Sequence, residues 1–285
     1  MTIQHVSTAS ELNQKIDDII NYLFTKLNNL QQNIPVVGMI LGSGLGEIAN
    51  NIDNKTVISY KDIPHLPNST APSHAGNLVF GEINGVRVMI MQGRLHLYEG
   101  YLASLATILV RVMSKIGIKK IIITAAAGGL HDYLSPGSIM LIKDHVNFSG
   151  TNPLLGENLV NFGARFPNMF DIYTPKHIET VLNIASKLEI PVYTGVYGGI
   201  LGPMYATRTE LQCLIDNHCD LIGMSVIQEA IIAAHSGMEI LALAVVTDLA
   251  LPNAQHHATE EEVVEAGIKA KSKVYNLLSH TINLL

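Results

Sequence analysis

The sequence predicts an α/β fold, a single domain built on a central mixed, mostly parallel β-sheet flanked by helices. Three observations carry that expectation. Short apolar runs rich in β-branched residues alternate with helical segments along most of the chain. The first of these runs, residues 35–41, opens into Gly42-Ser43-Gly44-Leu45-Gly46. Residues 78–83 and 86–91 flank Asn84-Gly85, a hairpin signal that adds an antiparallel element to the sheet.

The elements follow in order. Leu12, Ile16, Ile19, Ile20, Leu23, Phe24, Leu27 and Leu30 recur at helical spacing, so an N-terminal helix is expected over about 10–30 with Ser10 as its cap. Residues 57–76 carry Pro64, Pro67 and Pro72 and read as an irregular loop. Residues 102–113 read as a helix. A buried strand over 121–124 ends in small residues up to Gly129, and Pro136-Gly137 begins another over 138–142. Residues 147–173 are loop-like. Then come a helix over 175–188, a strand over 192–200, a helix over 207–217, a strand over 221–224, a helix over 226–236, a strand over 239–247 and a final helix over 260–282. No linker, charge block or repeat divides the 285 residues, so 1–285 reads as one domain.

Composition narrows the function classes. Hydrophobic residues make up 48% and charged residues 15%, against a usual charged share of roughly 25%. Such a chain can bury a large core, which excludes disorder. Cys213 and Cys219 are too few for a disulfide scaffold. The net charge is 18 − 24 = −6, which does not draw a nucleic-acid backbone at long range. A small anion can still be held by local amides and an arginine. The apolar runs 121–130 and 240–246 fall short of the roughly 18 residues of a membrane span. The first 30 residues lack the pattern of a secretory leader. A soluble cytoplasmic protein is expected, with no nucleic-acid or membrane partner.

The chemistry-bearing segments lie where predicted strands end. Glycines in 42–46 let a backbone approach an anion, and a following helix would present free N–H groups to it. A turn needed only for packing explains the same residues equally well. A dinucleotide fingerprint wants glycine where Glu47 stands, and the Gly-Lys-Ser/Thr triplet of a P-loop is absent. Ser73-His74-Ala75-Gly76 and the run 93–101 supply Arg94, a planar fork suited to phosphate, with His74 and His96 beside it. Small residues at 124–129 leave room for a ligand or for close helix packing. Gly223-Met224-Ser225 and Thr247-Asp248 place polar groups at two more strand ends. Glu229, among Ile and Ala, reads as a paired structural carboxylate. Asp248 reads as ligand-facing or as a helix cap. Metal-ligand spacing is absent, and His256-His257 reads as a solvated loop pair.

Taken together, Leu-Gly-Ser-Gly-Leu-Gly (41–46), Ser-His-Ala-Gly (73–76), Gln-Gly-Arg-x-His-x-Tyr-Glu-Gly-Tyr (92–101), Ala-Ala-Gly-Gly-Leu (126–130), Asp-His-x-Asn (144–147) and Gly-Met-Ser (223–225) resemble the purine nucleoside phosphorylases of the lower-mass, trimeric class. The resemblance spans about residues 36–270. It implies phosphorolysis of a purine nucleoside to free base and ribose 1-phosphate, with phosphate as a substrate and no cofactor or metal. It implies a phosphate site at Ser43, His74, Arg94, His96, Ala126 and Ser225, with catalytic roles for His74, His96 and Asp248. Tyr98 and Met224 match ribose-contacting positions, and Tyr205 matches an aromatic residue near the base, with Ala126, Ala206, Thr247 and Asp248 in the same nucleoside site. Glu99 matches a carboxylate that supports the phosphate-site histidine. Phe166 matches a residue lent to a neighbouring subunit's pocket, which implies a homotrimer.

Three positions depart from the family pattern. Ala206 stands where the family has the glutamate that accepts the N1 hydrogen of 6-oxopurines. Asp248 replaces an asparagine; ionised it only accepts, which suits a 6-amino group, and protonated it could donate a hydrogen bond to the purine. Glu260 stands at the usual 5′-hydroxyl histidine, and His257 from the nearby loop is the alternative nucleoside-binding residue there. Retained phosphorolysis with relaxed or 6-amino base preference is therefore expected. Methylthioadenosine phosphorylases share the Ala206 and Asp248 pattern but lack the 94–101 run, so they rank second. Behind them come a hydrolytic nucleosidase and a non-catalytic purine-binding homologue.

Overall fold

Side chains that alternate along each strand split the core into two layers. In the computed structural model, which describes residues 8–27, 29–71, 73–255 and 258–285, the sheet runs β2-β3-β4-β1-β5-β8-β7-β6-β9. Its strands are β1 (Val37–Leu41), β2 (Asp53–Ser59), β3 (Asn77–Ile83), β4 (Val86–Gln92), β5 (Lys120–Gly129), β6 (Ile139–Asn147), β7 (Val192–Gly199), β8 (Leu221–Gly223) and β9 (Glu239–Leu249). The helices are α1 (Ala9–Lys26), α2 (Ala103–Ala106), α3 (Ile108–Lys115), α4 (Pro175–Lys187), α5 (Arg208–Asp216), α6 (Ile227–His235) and α7 (Glu260–Thr281). Ile121, Ile123, Ile240 and Ala242 pack with α1, α3 and α6. Ile122, Leu241 and Leu243 point the other way, onto α4 and α7. Each of these isoleucines and leucines, fully buried, contributes about 1.5–3 kcal/mol of transfer free energy.

The pairing is mixed, as expected, but for more reasons than the hairpin. β1 is parallel to β4 and to β5, and β5 is parallel to β9. β5 meets β8, and β6 meets β9, in antiparallel register. Because β5 pairs with β9 as well as β8, strands β5, β8, β7, β6 and β9 close a ring. No local pattern in the chain signals that closure. It depends on β5 running through its small residues to Gly129, rather than ending at Thr124. A Cβ on Gly128 would sit 2.8 Å from the Ala250 side chain, so the small residues permit tight pairing here.

Other boundaries also move. α1 is capped by Thr8 rather than Ser10, through a reciprocal capping box with Glu11, and it ends at Lys26 rather than near 30. The first part of the supposed loop 57–76 belongs to strand β2, whose polar, exposed edge sequence hid the apolar signal. The helix expected over 102–113 breaks at Thr107, whose hydroxyl donates to the Ala103 carbonyl, leaving α2 and α3. The helix expected after the glycine loop is a short 3-10 turn over Gly46–Asn51. The hairpin stands as expected, with Asn84 at φ 50° and Gly85 at φ 78° in its turn.

Candidate active site

The carboxyl ends of β1, β4, β5, β8 and β9 converge on one cavity of about 440 Å³. Its wall includes Ser43, His74, Arg94, His96, Ala126 and Ser225, the six residues expected to hold phosphate. It also includes Tyr98, Tyr205, Ala206, Met224, Thr247, Asp248 and Glu260. Phe166 is not in this wall; it stands 88% exposed on the connection between β6 and α4. His257 lies outside the described residues.

At one end of the cavity, Arg94 is 1% exposed. Its guanidinium donates to the Thr124 carbonyl, and Nε lies 3.5 Å from Glu229 Oε1. Glu229 is thus the paired carboxylate expected, and it anchors the arginine from behind. That contact is not aligned as a hydrogen bond, and Nε and Nη1 have no hydrogen-bond partner among the described residues. A buried cation with idle donors is costly unless something anionic completes it. His74 and His96 stack beside it with ring centroids 4.9 Å apart, and His96 stacks on Tyr98 at 4.6 Å. The ladder requires the chain at Gly93 to press on His74: φ there is 100°, and a Cβ would lie 2.7 Å from the His74 Cβ.

His74 Nδ1 lies 3.1 Å from the Arg94 amide nitrogen and 2.9 Å from the Arg94 carbonyl, so the backbone serves either tautomer. Its Nε2 is 3.4 Å from Ser43 Oγ, which also accepts from Ser73 at 3.1 Å. Burial, aided by the nearby His96, pushes His74 from 6.5 down to about 3. His74 is therefore neutral at pH 7. Glu99 behaves oppositely. Burial favours a raised value, but hydrogen bonds from His96 and Thr70 outweigh it and hold the carboxyl at about 2. Its Oε1 accepts from the His96 amide at 2.6 Å, and its Oε2 accepts from the Thr70 hydroxyl at 2.7 Å.

Ser225 is aimed by a strained turn. Val226 has φ 68° and ψ −57°, and the Ile227 amide donates to the Ser225 carbonyl at 2.7 Å, which is a γ-turn. A β-branched residue in this region is a backbone outlier, of the kind that costs about 1–3 kcal/mol and persists at sites held by their surroundings. The Ser225 amide donates to the Tyr197 hydroxyl at 3.2 Å.

The other end of the cavity is more open. Tyr205 is 45% exposed. The Thr247 hydroxyl lies 3.0 Å from Asp248 Oδ1 and 3.2 Å from the Ala127 carbonyl. Glu260 begins α7 and is exposed. Burial raises the phenols of Tyr98 and Tyr205, with Glu260 adding to both and Asp248 to Tyr205. Thr70 and Tyr197 were not anticipated. Thr70 sits in a proline-rich loop with no periodic signal, and Tyr197 reads as an ordinary strand residue.

The strand ends of an α/β sheet surround a buried guanidinium whose donors are incompletely satisfied, the arrangement of an α/β enzyme whose pocket lies at the carboxyl edge of its sheet. The match to known proteins agrees: residues 36–283 fit the profile of the phosphorylase superfamily. Purine nucleoside phosphorylase 1 of Bacillus subtilis (strain 168) is 42% identical over 252 residues, covering 87% of this chain and 93% of that protein. Purine nucleoside phosphorylase of Bos taurus is 39% identical, covering 86% and 87%. A crystal structure of Schistosoma mansoni purine nucleoside phosphorylase in complex with adenosine superposes with a TM-score of 0.90 at 32% identity, covering 98% of this chain and 99% of that one. The chain belongs to the purine nucleoside phosphorylase family.

Proposed function

We propose that this pocket splits purine nucleosides with inorganic phosphate into free base and ribose 1-phosphate, a pentosyl transfer that serves purine salvage. The observation that carries the reading is Arg94, buried in the cavity wall with two guanidinium nitrogens that have no hydrogen-bond partner among the described residues. Phosphate is the reactant that completes it. The Ser43 and Ser225 hydroxyls, His74, His96 and the Ala126 backbone line the same wall.

As the glycosidic bond breaks, positive charge grows on the sugar and negative charge on the base. A phosphate dianion held beside the sugar stabilises the first charge and then attacks the anomeric carbon. A hydrogen bond delivered to the purine stabilises the second. These steps ask for positioning and fixed dipoles, and need no covalent enzyme intermediate. Tyr98 and Met224 flank the ribose. Tyr205 lies along the base, and Thr247 and Asp248 meet its edge.

The base edge supports a preference for, or tolerance of, 6-aminopurines. Ala206 cannot accept the N1 hydrogen of inosine or guanosine, whereas an ionised Asp248 accepts from a 6-amino group. Glu260 is placed to accept from the ribose 5′-hydroxyl, and an apolar 5′-methylthio group gives it nothing to bond. The 88% exposed Phe166 fits a site completed between copies, in a trimer of this chain. The cytoplasm is the compartment we assign to the reaction.

Purified protein incubated with inosine, guanosine, adenosine or methylthioadenosine, with and without phosphate, tests all of this through release of free base. Phosphate-dependent release of base from adenosine is expected. Release without phosphate means hydrolysis. Methylthioadenosine cleaved best of the four moves the chain to methylthioadenosine phosphorolysis, and binding without turnover leaves a purine-binding protein. Inosine and guanosine cleaved with adenosine untouched would overturn the base preference while keeping the reaction.

A further inference from the structure

A second arginine is buried outside the pocket. Arg111, on α3, is 1% exposed, and its Nε and Nη1 have no hydrogen-bond partner. Among the described residues no carboxylate lies within ion-pairing distance of it. Burial lowers its pKa to about 10, so it keeps its charge at neutral pH. The adjoining cavity, lined by Ser104, Glu157 and Asn158 among others, has a volume of about 10 Å³. That is room for one water at most, so the cation is not there to bind a ligand. What it does meet is the Phe162 ring, with its guanidinium carbon 5.2 Å from the ring centroid.

Phe162 is the first of three consecutive residues pinned to the helices behind them. A Cβ on Gly163 would fall 2.0 Å from the His235 carbonyl at the end of α6, so glycine alone fits against that helix. His235 Nε2 donates to the Ala164 carbonyl at 3.1 Å, which fixes the tautomer with Nε2 protonated. The Asn158 side-chain amide donates to the Gly163 carbonyl at 3.0 Å. Immediately beyond this clamp the chain turns outward. Arg165 donates back to the Leu154 carbonyl, and Phe166 and Phe170 stand 88% and 87% exposed. A pinned base three residues long therefore precedes two exposed aromatic rings, Phe166 with the Arg165 guanidinium carbon 5.8 Å from its centroid and Phe170 beyond it.

We propose that Arg111 is a positioning residue for the reaction. Through Phe162 it fixes the 162–164 pedestal from which Phe166 reaches the nucleoside end of a neighbouring copy's pocket. This rests on the proposed role of Phe166 in completing that pocket. Arg111 acts through Phe166 and touches neither phosphate nor nucleoside.

The test is a double-mutant cycle read as KM against kcat. Arg111→Met is expected to raise the nucleoside KM about 5- to 10-fold and leave the phosphate KM within about two-fold. Phe162→Leu, a milder change to the same contact, is expected to move the nucleoside KM in the same direction, and it reports if Arg111→Met does not fold. In the Phe166→Ala background both changes are expected to lose their effect on the nucleoside KM. Equal rises in both KM values, or an unreduced effect on top of Phe166→Ala, would overturn the proposal. So would a wild-type nucleoside KM in Phe162→Leu. A large Phe166→Ala effect beside these negative results leaves the reading of Phe166 intact. A wild-type nucleoside KM in Phe166→Ala removes that reading and the pedestal with it.

Discussion

The two ends of the pocket are built differently. At the end we assign to phosphate, His74, Arg94 and His96 are all at most 9% exposed and held by Glu229, Glu99 and backbone groups. At the end we assign to the nucleoside, Tyr205 is 45% exposed, Glu260 lies open, and no arginine or lysine lines the wall among the described residues. On our reading the first end is built within one chain. The second waits for a base, and on our reading for a second copy. Electrostatic stabilisation works best from fixed dipoles in a dry site, so the rigid end is where rate should be concentrated. The open end should govern choice of substrate.

Breaking the rigid end should give the largest effect. Arg94→Ala removes the buried charge while leaving Glu229 unpaired. We expect kcat/KM to fall roughly 10²- to 10³-fold, the range seen for loss of one preorganised donor. The half-saturating phosphate concentration should rise with it. Initial rates across a phosphate series check this, and unchanged phosphate kinetics would remove Arg94 from the site.

Changes at the open end should redirect the enzyme rather than stop it. Ala206→Glu combined with Asp248→Asn supplies an acceptor for N1–H and an amide donor at the base edge. An unmatched buried hydrogen-bonding group costs about 1–3 kcal/mol, or roughly 5- to 150-fold. The ratio of inosine to adenosine kcat/KM should therefore shift by about that factor toward inosine. A ratio unmoved by both changes would separate base choice from these positions.

This contrast also explains what could be read from the sequence. The phosphate end was legible because local segments carry it: Ser43, His74, Arg94 and His96 each sit in a short motif at a strand end. The alternating α/β order and the hairpin were equally local. The ring of β5, β8, β7, β6 and β9 was not, because closure is set by pairing between distant segments, with Ile139 opposite Val245 and Gly128 opposite Ile222. Strand β2 was missed because an edge strand needs little apolar surface. Thr70 and Tyr197 join the site only through the fold, and nothing in their neighbours marks them. Thr8 took the cap from Ser10 because Glu11 is three residues from Thr8, the spacing the reciprocal box needs.

A smaller effect tests the support behind the ladder. Glu99→Gln keeps the shape but loses the carboxylate that accepts from the His96 amide and from Thr70. We expect kcat/KM to drop about 10-fold, in line with loss of charged hydrogen bonds worth roughly 1.5–3 kcal/mol that are partly retained by the amide. The folded carboxyl sits at about 2 against an ordinary 4.5. Its contribution to stability is thus full above pH 4.5 and lost as pH falls toward 2. The Tm difference between wild type and Glu99→Gln should be constant near neutrality and shrink in that window.

The smallest effect separates the two acid-sensitive groups in the rigid end. His74 has a folded pKa of about 3 against an ordinary 6.5. Above pH 6.5 it is neutral in both folded and unfolded chains and adds no slope. Between 6.5 and 3 the unfolded chain takes up a proton that the folded chain refuses, so stability falls as pH falls. His74→Gln removes that proton uptake. Its Tm should decline less than the wild-type Tm between pH 6.5 and 4.5, a window that lies above the range in which Glu99 loses its charge. Parallel Tm curves for the two proteins across that window would mean that His74 is protonated in the folded, phosphate-free enzyme. The rigid end would then carry two buried cations waiting for phosphate instead of one.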